Sequence, residues 1–462
     1  MQLYAPIGMN HFLSTAQVAA KAGVHRDTLL RWLRQGRVPE PARDGRGWRA
    51  FTLVEAEAIA AQAASASPMV QQPAAISRLQ TADWDLTSAK TSYLTHNIHP
   101  YPAKFIPQIP NMLIQELSSV GDTVADIFCG SGTMLLEALQ LKRHAIGVDA
   151  NPLATLISRA KTTPLSAPAL DTLAEHRFAA ERLAASIEPN ALDMFSQGLP
   201  FKSDAWRPAA DVCDTWFEPH VVEELAELRH LIDDVPDDSA RNLCAVVFAS
   251  IIVTVSRQDS DTRYVRRKKQ ITPGDTVQRY LRQLQAAATA VEKLADVIEP
   301  RFSCNVITAN VLDAPELPPF DLVVTSPPYP NAFSYHLYHR TRLLWLGLDP
   351  TPFKAIEIGS HRKYSAKGPR RATVATFATE LRTIFTWLYS QVNDRGHVCF
   401  VVGDSTLAGE KIDNASLVAD AGAEHGFVEH ARINRSIATT RKALNPKIGG
   451  IKAEQIVILQ KA

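Results

Sequence analysis

Ser326, Pro327, Pro328 and Tyr329 place a hydroxyl, a proline-fixed carbonyl, a second rigid ring and an aromatic face on consecutive positions. Together these groups can hold a planar ring that bears an amino group. A plain strand-to-loop turn uses the same residues, so the chemistry depends on what stands beside it. The run before it, Asp321-Leu322-Val323-Val324, is too short for a helix and β-branched enough for a buried parallel strand. Thr325 would end that strand, and the two prolines stop it and stiffen the turn. Such a platform lies at the carboxyl end of a strand, where open α/β sheets bind their ligands.

A second stretch, Asp126-Ile127-Phe128-Cys129-Gly130-Ser131-Gly132-Thr133, reads as strand, glycine loop and helix start. Its glycines let the backbone approach a ligand, and Asp126 can accept a hydrogen bond from a cationic or hydroxyl-bearing one. A third glycine at the GxGxxG position is missing, which weighs against a diphosphate cradle. The next strand, His144–Val148, ends at Asp149, and an acid about 20 residues beyond such a loop suits a grip on ribose hydroxyls. Taken alone, this block leaves a dinucleotide and S-adenosylmethionine equally open. Asn310 and Asp313 follow a further strand at Val306–Thr308, near enough to hydrogen-bond the amino group of a bound adenine.

These residues must be positioned by an alternating α/β domain, and the chain has room for more. It has 462 residues, 46% hydrophobic and 21% charged, with a formal net charge of +1. Nucleic-acid contact would therefore need local basic patches. No apolar run reaches the length of a membrane span, and the five scattered cysteines have no CxxC spacing, so neither a disulfide framework nor a zinc site is expected. A reducing cytoplasm is the expected location.

Residues 1–62 read as a separate helical unit. Ser14 or Thr15 caps a first helix, and a second runs from about Arg26 to Gln35. The second carries Arg26, Arg31 and Arg34, and Gly45–Phe51 suggests a wing. The Ala-, Ser-, Gln- and Pro-rich residues 63–92 are expected to be a linker that buries little. Residues 93–164 open the α/β domain with a proline-stiffened, extended segment, His96–Pro107, that presents Tyr101, Lys104 and Phe105. Residues 165–300 form a mostly helical insertion. Inside it, the loop 256–269 holds Arg257, Arg263, Arg266 and Arg267 and two lysines, a pattern that fits phosphate contact and a solvated face equally. Residues 301–462 complete the sheet, with Val428–Ile433 and Gln455–Leu459 as a closing antiparallel pair.

The two motif blocks together resemble the S-adenosylmethionine-dependent amino-methyltransferases of DNA, in which Thr325-Ser326-Pro327-Pro328-Tyr329 is similar to the catalytic motif of N4-cytosine enzymes. His99–Phe105 resembles the family's cofactor-side segment, and the stretch from Phe12 to about Ala60 resembles a MerR-type winged helix-turn-helix. The resemblance implies an α/β, Rossmann-like methyltransferase sheet. It implies that Tyr101, Lys104, Phe105, Asp126, Phe128, Gly130, Gly132, Thr133, Asp149, Asn310, Asp313 and Thr325 surround S-adenosylmethionine. It also implies that Ser326, Pro327, Pro328 and Tyr329 act on an exocyclic amine, with Ser326 and the Pro327 carbonyl accepting its protons. Double-stranded DNA is the expected partner, and a restriction endonuclease is the partner such an enzyme would have in a restriction-modification role. No metal is required, and C5 methylation is disfavoured because Cys129 sits in the cofactor loop. Adenine N6, an RNA base and a ligand-sensing regulator are the alternatives.

Overall fold

The computed structural model describes residues 12–22, 29–30, 32–33, 38–45, 47–66, 74–187, 204–331, 333–368, 371–437 and 453–462. The chain divides into two compact units, Met1–Pro73 and Ala74–Ala462.

In the first unit, Ser14 caps the helix Thr15–Lys21 with a reciprocal capping box to Gln17. Leu29, Leu30, Trp32 and Leu33 are helical, and Leu29 and Leu33 pack with Val18, Phe51 and Ile59 in one small core. Bridges Leu13–Phe51 and Arg43–Arg49 pin a short hairpin against it. Trp48 on that hairpin is 69% exposed, so it is presented and not packed. Arg26, Arg31 and Arg34 lie outside the described residues.

The second unit is built on a seven-stranded sheet with its elements in the order the sequence suggests. The strands are β1 (Thr123–Asp126), β2 (His144–Asp149), the hairpin pair β3 (Gln258–Ser260) and β4 (Arg263–Arg266), β5 (Cys304–Thr308), β6 (Phe320–Thr325) and β7 (Val392–Gly403), then the small pair β8 (Ser405–Leu407) and β9 (Glu410–Ile412), and finally β10 (Phe427–Ser436) and β11 (Ala453–Lys461). The sheet order is β10-β11-β7-β6-β1-β2-β5. Strands β5, β2, β1, β6 and β7 run parallel, and β11 pairs antiparallel with both β7 and β10. The connection leaves β1 toward β2 on one side while β6 joins β1 on the other. That reversal opens a crevice at the carboxyl ends of β1 and β6, the place such sheets reserve for ligands. This is a Rossmann-like methyltransferase architecture.

Both faces of the sheet are covered, which is why its strands read as continuous apolar runs. The helices Gln108–Leu117 and Thr133–Gln140 bury Leu113, Ile114, Leu135 and Leu136 against one face. The helices Val374–Gln391 and Asn414–Glu424 bury Phe385, Leu388 and Val418 against the other. The insertion is a helical layer of its own, with Ala167–Ile187, Pro219–Asp233, Asp238–Val255 and Asp275–Ala295 packed around Phe248, Tyr280 and Trp345. The helix Asp238–Val255 is long and apolar enough by composition to cross a membrane, but it is mostly buried in this layer.

Three expectations need correction. The linker does not extend to residue 92, because Ala74–Thr81 is a helix whose Ile76 and Leu79 are buried together with Trp84. The Trp84 indole donates to the Leu79 carbonyl at 2.7 Å, folding Trp84 back on this helix, and Arg435 on β10 donates to the Trp84 carbonyl at 3.1 Å. The segment His96–Pro107 is turned, not extended: Ala103 has φ 56° and His99 is fully buried. The basic loop 256–269 contains a β-hairpin, β3–β4, whose Gln258 is tied to the Tyr338 carbonyl at 3.1 Å.

Candidate active site

The crevice holds a cavity of about 310 Å³, at the lower end of the usual size for small-molecule sites. One wall comes from the carboxyl ends of β1, β2 and β5 together with the segment His96–Pro107. It brings together Tyr101, Lys104, Phe105, Phe128, Gly130, Asp149 and Asn310. The other wall comes from β6 and the strands beyond it and carries Ser326, Pro327, Pro328 and Tyr329, with Arg435 and Glu454.

On the first wall, Asp149 is held by backbone donors. Gly130 N–H reaches one carboxylate oxygen at 2.9 Å and Asn151 N–H the other at 2.8 Å. Each oxygen keeps lone pairs for a hydroxyl pair in the cleft. Burial outweighs these two donors and pushes Asp149 up to about 6. The Lys104 ammonium donates to the His96 carbonyl at 3.1 Å, and burial lowers its pKa. Tyr101 stacks on His339 at 5.0 Å and Tyr335 at 5.9 Å, forming an aromatic floor beneath the glycine loop.

Some of the expected cofactor residues stand behind this wall and do not line it. Asp126 is buried and accepts the Thr325 hydroxyl at 2.6 Å and the Phe128 N–H at 3.1 Å, so it locks β1 to β6. Burial pushes Asp126 up to about 7. Gly132 and Thr133 start the helix Thr133–Gln140; Gly132 has φ 73°, and a Cβ there would stand 2.7 Å from Ser158 Oγ. Asp313 is exposed and accepts from Asn310 Nδ2 at 3.2 Å, which leaves Asn310 as the one of that pair in the cleft.

On the second wall, Ser326 Oγ donates to the Val401 carbonyl at 2.9 Å. The Tyr329 hydroxyl lies 3.3 Å from the same carbonyl and 3.3 Å from Ser326 Oγ. With its hydrogen committed to β7, the serine offers the cleft lone pairs alone. Burial raises the Tyr329 phenol far above its ordinary range, keeping it protonated.

Four residues of the second wall were not singled out from the sequence. Arg435, on β10, is buried, pairs with Glu454 on β11 and donates through Nε to the Trp84 carbonyl at 3.1 Å. Burial raises the pKa of Glu454. Glu357 accepts Tyr335 N–H at 2.5 Å and His336 Nδ1 at 2.5 Å, closing the cleft on that side. Gly359 has φ 70°, and its missing side chain lets the chain pass over the motif; a Cβ there would sit 2.5 Å from the Tyr329 carbonyl. Only Gly359 had a local signal, since glycine in a tight passage follows from its own conformational range.

The basic hairpin residues are placed less freely than their charge suggests. Arg257 is turned inward, 3.0 Å from Glu218 and donating to the Asp214 carbonyl at 2.7 Å. Arg263 and Arg267 both pair with Asp259, at 3.1 and 3.5 Å. Arg266 is exposed. None of the four lines the cleft.

Residues 48–158 match the family model for DNA methylase, and residues 13–61 match that for the MerR helix-turn-helix family of regulatory proteins. The chain is 27% identical over 279 residues to the Type II methyltransferase M.MvaI of Kocuria varians, covering 56% of this chain and 59% of that protein. It is 24% identical over 284 residues to the Type II methyltransferase M.BsoBI of Geobacillus stearothermophilus, covering 55% and 53%. A shorter match, 38% over 85 residues, joins it to the Type II methyltransferase M.MjaII of Methanocaldococcus jannaschii, covering 17% and 16%. The chain thus spans 59% or less of the length of these relatives. The acid at the end of β2, the glycine loop and the aromatic floor fit a nucleoside bearing a cationic tail, which is the chemistry of S-adenosylmethionine. In sheet order, motif pair and these relatives the chain is similar to amino-methyltransferases of the DNA methylase kind, and its residues 13–61 are similar to a MerR-type helix-turn-helix.

Proposed function

We propose that this protein methylates the exocyclic amino group of a DNA base, with N4 of cytosine as the target. The observation that carries the proposal is the Ser326 hydroxyl, which spends its hydrogen on the Val401 carbonyl. It can therefore only accept from the cleft, as an amine's N–H requires.

An exocyclic amine is a poor nucleophile because its lone pair is delocalised into the ring. S-adenosylmethionine, when bound, supplies an electrophilic methyl group on a sulfonium. The Ser326 hydroxyl and the Pro327 carbonyl take the two amine protons as hydrogen-bond acceptors and favour a pyramidal nitrogen with its lone pair free. The Tyr329 ring offers a stacking face to a base swung out of the duplex. Asp149 holds the ribose end in register, so orientation supplies much of the rate. An amine that accepted the methyl group supplied by bound S-adenosylmethionine would then have a proton to shed from its nitrogen. Glu454 and Glu357 line the same cleft and are the acceptors at hand. The helix-turn-helix unit adds a second DNA contact in this reading, in a restriction-modification or other epigenetic role.

The test is mass spectrometry of nucleosides from mixed-sequence DNA incubated with the full chain and S-adenosylmethionine, with Ser326→Ala alongside. N4-methylcytosine formed by the wild type and lost in the variant is the expected result. N6-methyladenine would keep the mechanism and change the base. No methylated nucleoside from DNA would overturn the reading in favour of an RNA base or a ligand-sensing regulator.

A further inference from the structure

The cleft has a basic neighbour. A second cavity, of about 450 Å³, is lined by His336, Leu337, Arg340, Pro350, Thr351, Lys354 and Arg362, without a carboxylate. It shares a wall with the cleft. In Tyr335–Tyr338 and the residues after it, Tyr335 faces the cleft whereas His336, Leu337 and Arg340 face the basic cavity. In the helix Pro350–Ile356, Phe353 and Ile356 face the cleft whereas Pro350, Thr351 and Lys354 face the basic cavity.

The wall is stiffened from inside. Glu357 accepts from Tyr335 N–H and His336 Nδ1, both at 2.5 Å, so the two helices are bound together at the partition. On the far side, Thr341 donates to Gln258 at 3.0 Å and Arg342 pairs with Asp261, clamping the β3–β4 hairpin to the same element.

Arg340, Lys354 and Arg362 are all exposed, and among the described residues none has an acid within ion-pair distance. Asp349, the acid that begins the helix Pro350–Ile356, is spent on its own N-terminus, accepting Thr351 N–H at 2.8 Å. Three exposed cations around one concavity, unbalanced by acids, repel one another unless an anion joins them. A flipped nucleotide has this division: its base goes into an enclosed, largely apolar slot while its phosphates stay outside on the backbone.

We propose that this basic cavity holds the sugar-phosphate backbone beside the target base, with Arg340, Lys354 and Arg362 on the phosphates. The inference rests on the cleft being a DNA base site. It assigns the strand contact to the wall of the cleft itself and not to the hairpin arginines, two of which are committed to Asp259.

The test compares the full chain with its Arg340→Ala/Lys354→Ala/Arg362→Ala variant. Each binds a fluorescent mixed-sequence duplex across a range of salt concentrations, and cofactor affinity and melting temperature are recorded beside this. Because the helix-turn-helix unit is common to both proteins, the difference reports the cavity. The expected result is duplex affinity about 10-fold or more weaker and a log–log salt slope shallower by about two to three, with cofactor affinity and melting temperature unchanged. Equal affinity and equal slope would overturn the proposal, as would a loss of binding that tracks a lowered melting temperature. A wild type that binds the duplex with the steeper slope but methylates no base would sink the cleft's function and leave the cavity's assignment standing.

Discussion

The two walls of the cleft are built on different plans. On the first wall the acid is held locally: Asp149 accepts from Gly130 and Asn151, both within one βαβ unit. The wall that carries Ser326 is assembled from afar. Ser326 answers to Val401 on β7, Glu454 on β11 pairs with Arg435 on β10, and Arg435 reaches back to Trp84. The local wall is a portable cradle, whereas the distant one depends on the whole sheet having closed. The proton acceptors of the proposed function would thus be fixed by contacts between strands far apart in sequence.

If that contrast is right, the largest effect on stability should come from the far wall. Arg435→Ala leaves the partly buried Glu454 without its cation and should cost about 3 kcal/mol in denaturant unfolding, the low end for breaking a buried pair. A loss under about 1 kcal/mol would show that the pair is dispensable. On the near wall the effect should be on binding. Asp149→Ala removes charge-assisted hydrogen bonds of about 1.5–3 kcal/mol, or roughly 10- to 150-fold in cofactor Kd, while the unfolding midpoint moves little. Calorimetric titration with S-adenosylmethionine checks it.

The two glycines sharpen the comparison. Gly359→Ala would drive a Cβ onto the Tyr329 carbonyl at 2.5 Å, and Gly132→Ala would meet Ser158 Oγ at 2.7 Å. Each should lose about 1–3 kcal/mol through positive φ and crowding. The Gly359 variant should lose more, since backbone yields less than a side chain. Equal losses would argue that the two walls are equally stiff.

The smallest effect is a pH dependence. Asp149, lifted by burial to about 6, must be a carboxylate to accept ribose hydroxyls with all its lone pairs. Cofactor affinity should therefore hold above neutrality and fall as the pH drops through about 6. In Asp149→Asn that step should flatten. The same lift has the opposite sign for stability of the free protein. The native state binds the proton more tightly than the unfolded chain, so this group's contribution is present at low pH and is lost as the pH rises through about 6.

The same division explains what the sequence made legible. The strand–loop–helix at 123–140, the acid ending β2 and the proline platform after β6 are short-range patterns, and the elements stand where periodicity and turn chemistry put them. The four long helices of the insertion also follow from their spacing. Arg435 and Glu454 carried no local signal, because their meaning comes from an antiparallel pairing and a contact 351 residues away. Trp84 was hidden by composition: a few apolar residues in an Ala- and Gln-rich stretch suffice to pack on a sheet edge. Asp126 is expected at the cofactor because it opens the glycine-loop motif, yet it is spent on Thr325 across the sheet. The charge run 256–269 left phosphate contact and a solvated face equally open, and its Asp259 pairs with two of its arginines.

The most direct measurement is a single-turnover methyl-transfer rate on DNA for wild type and Ser326→Ala, with cofactor Kd measured on the same two proteins. The account predicts a rate lower by about 10²–10³-fold in the variant, with cofactor Kd unchanged. An unchanged rate would contradict it, and so would a rate that falls only as far as cofactor binding is lost.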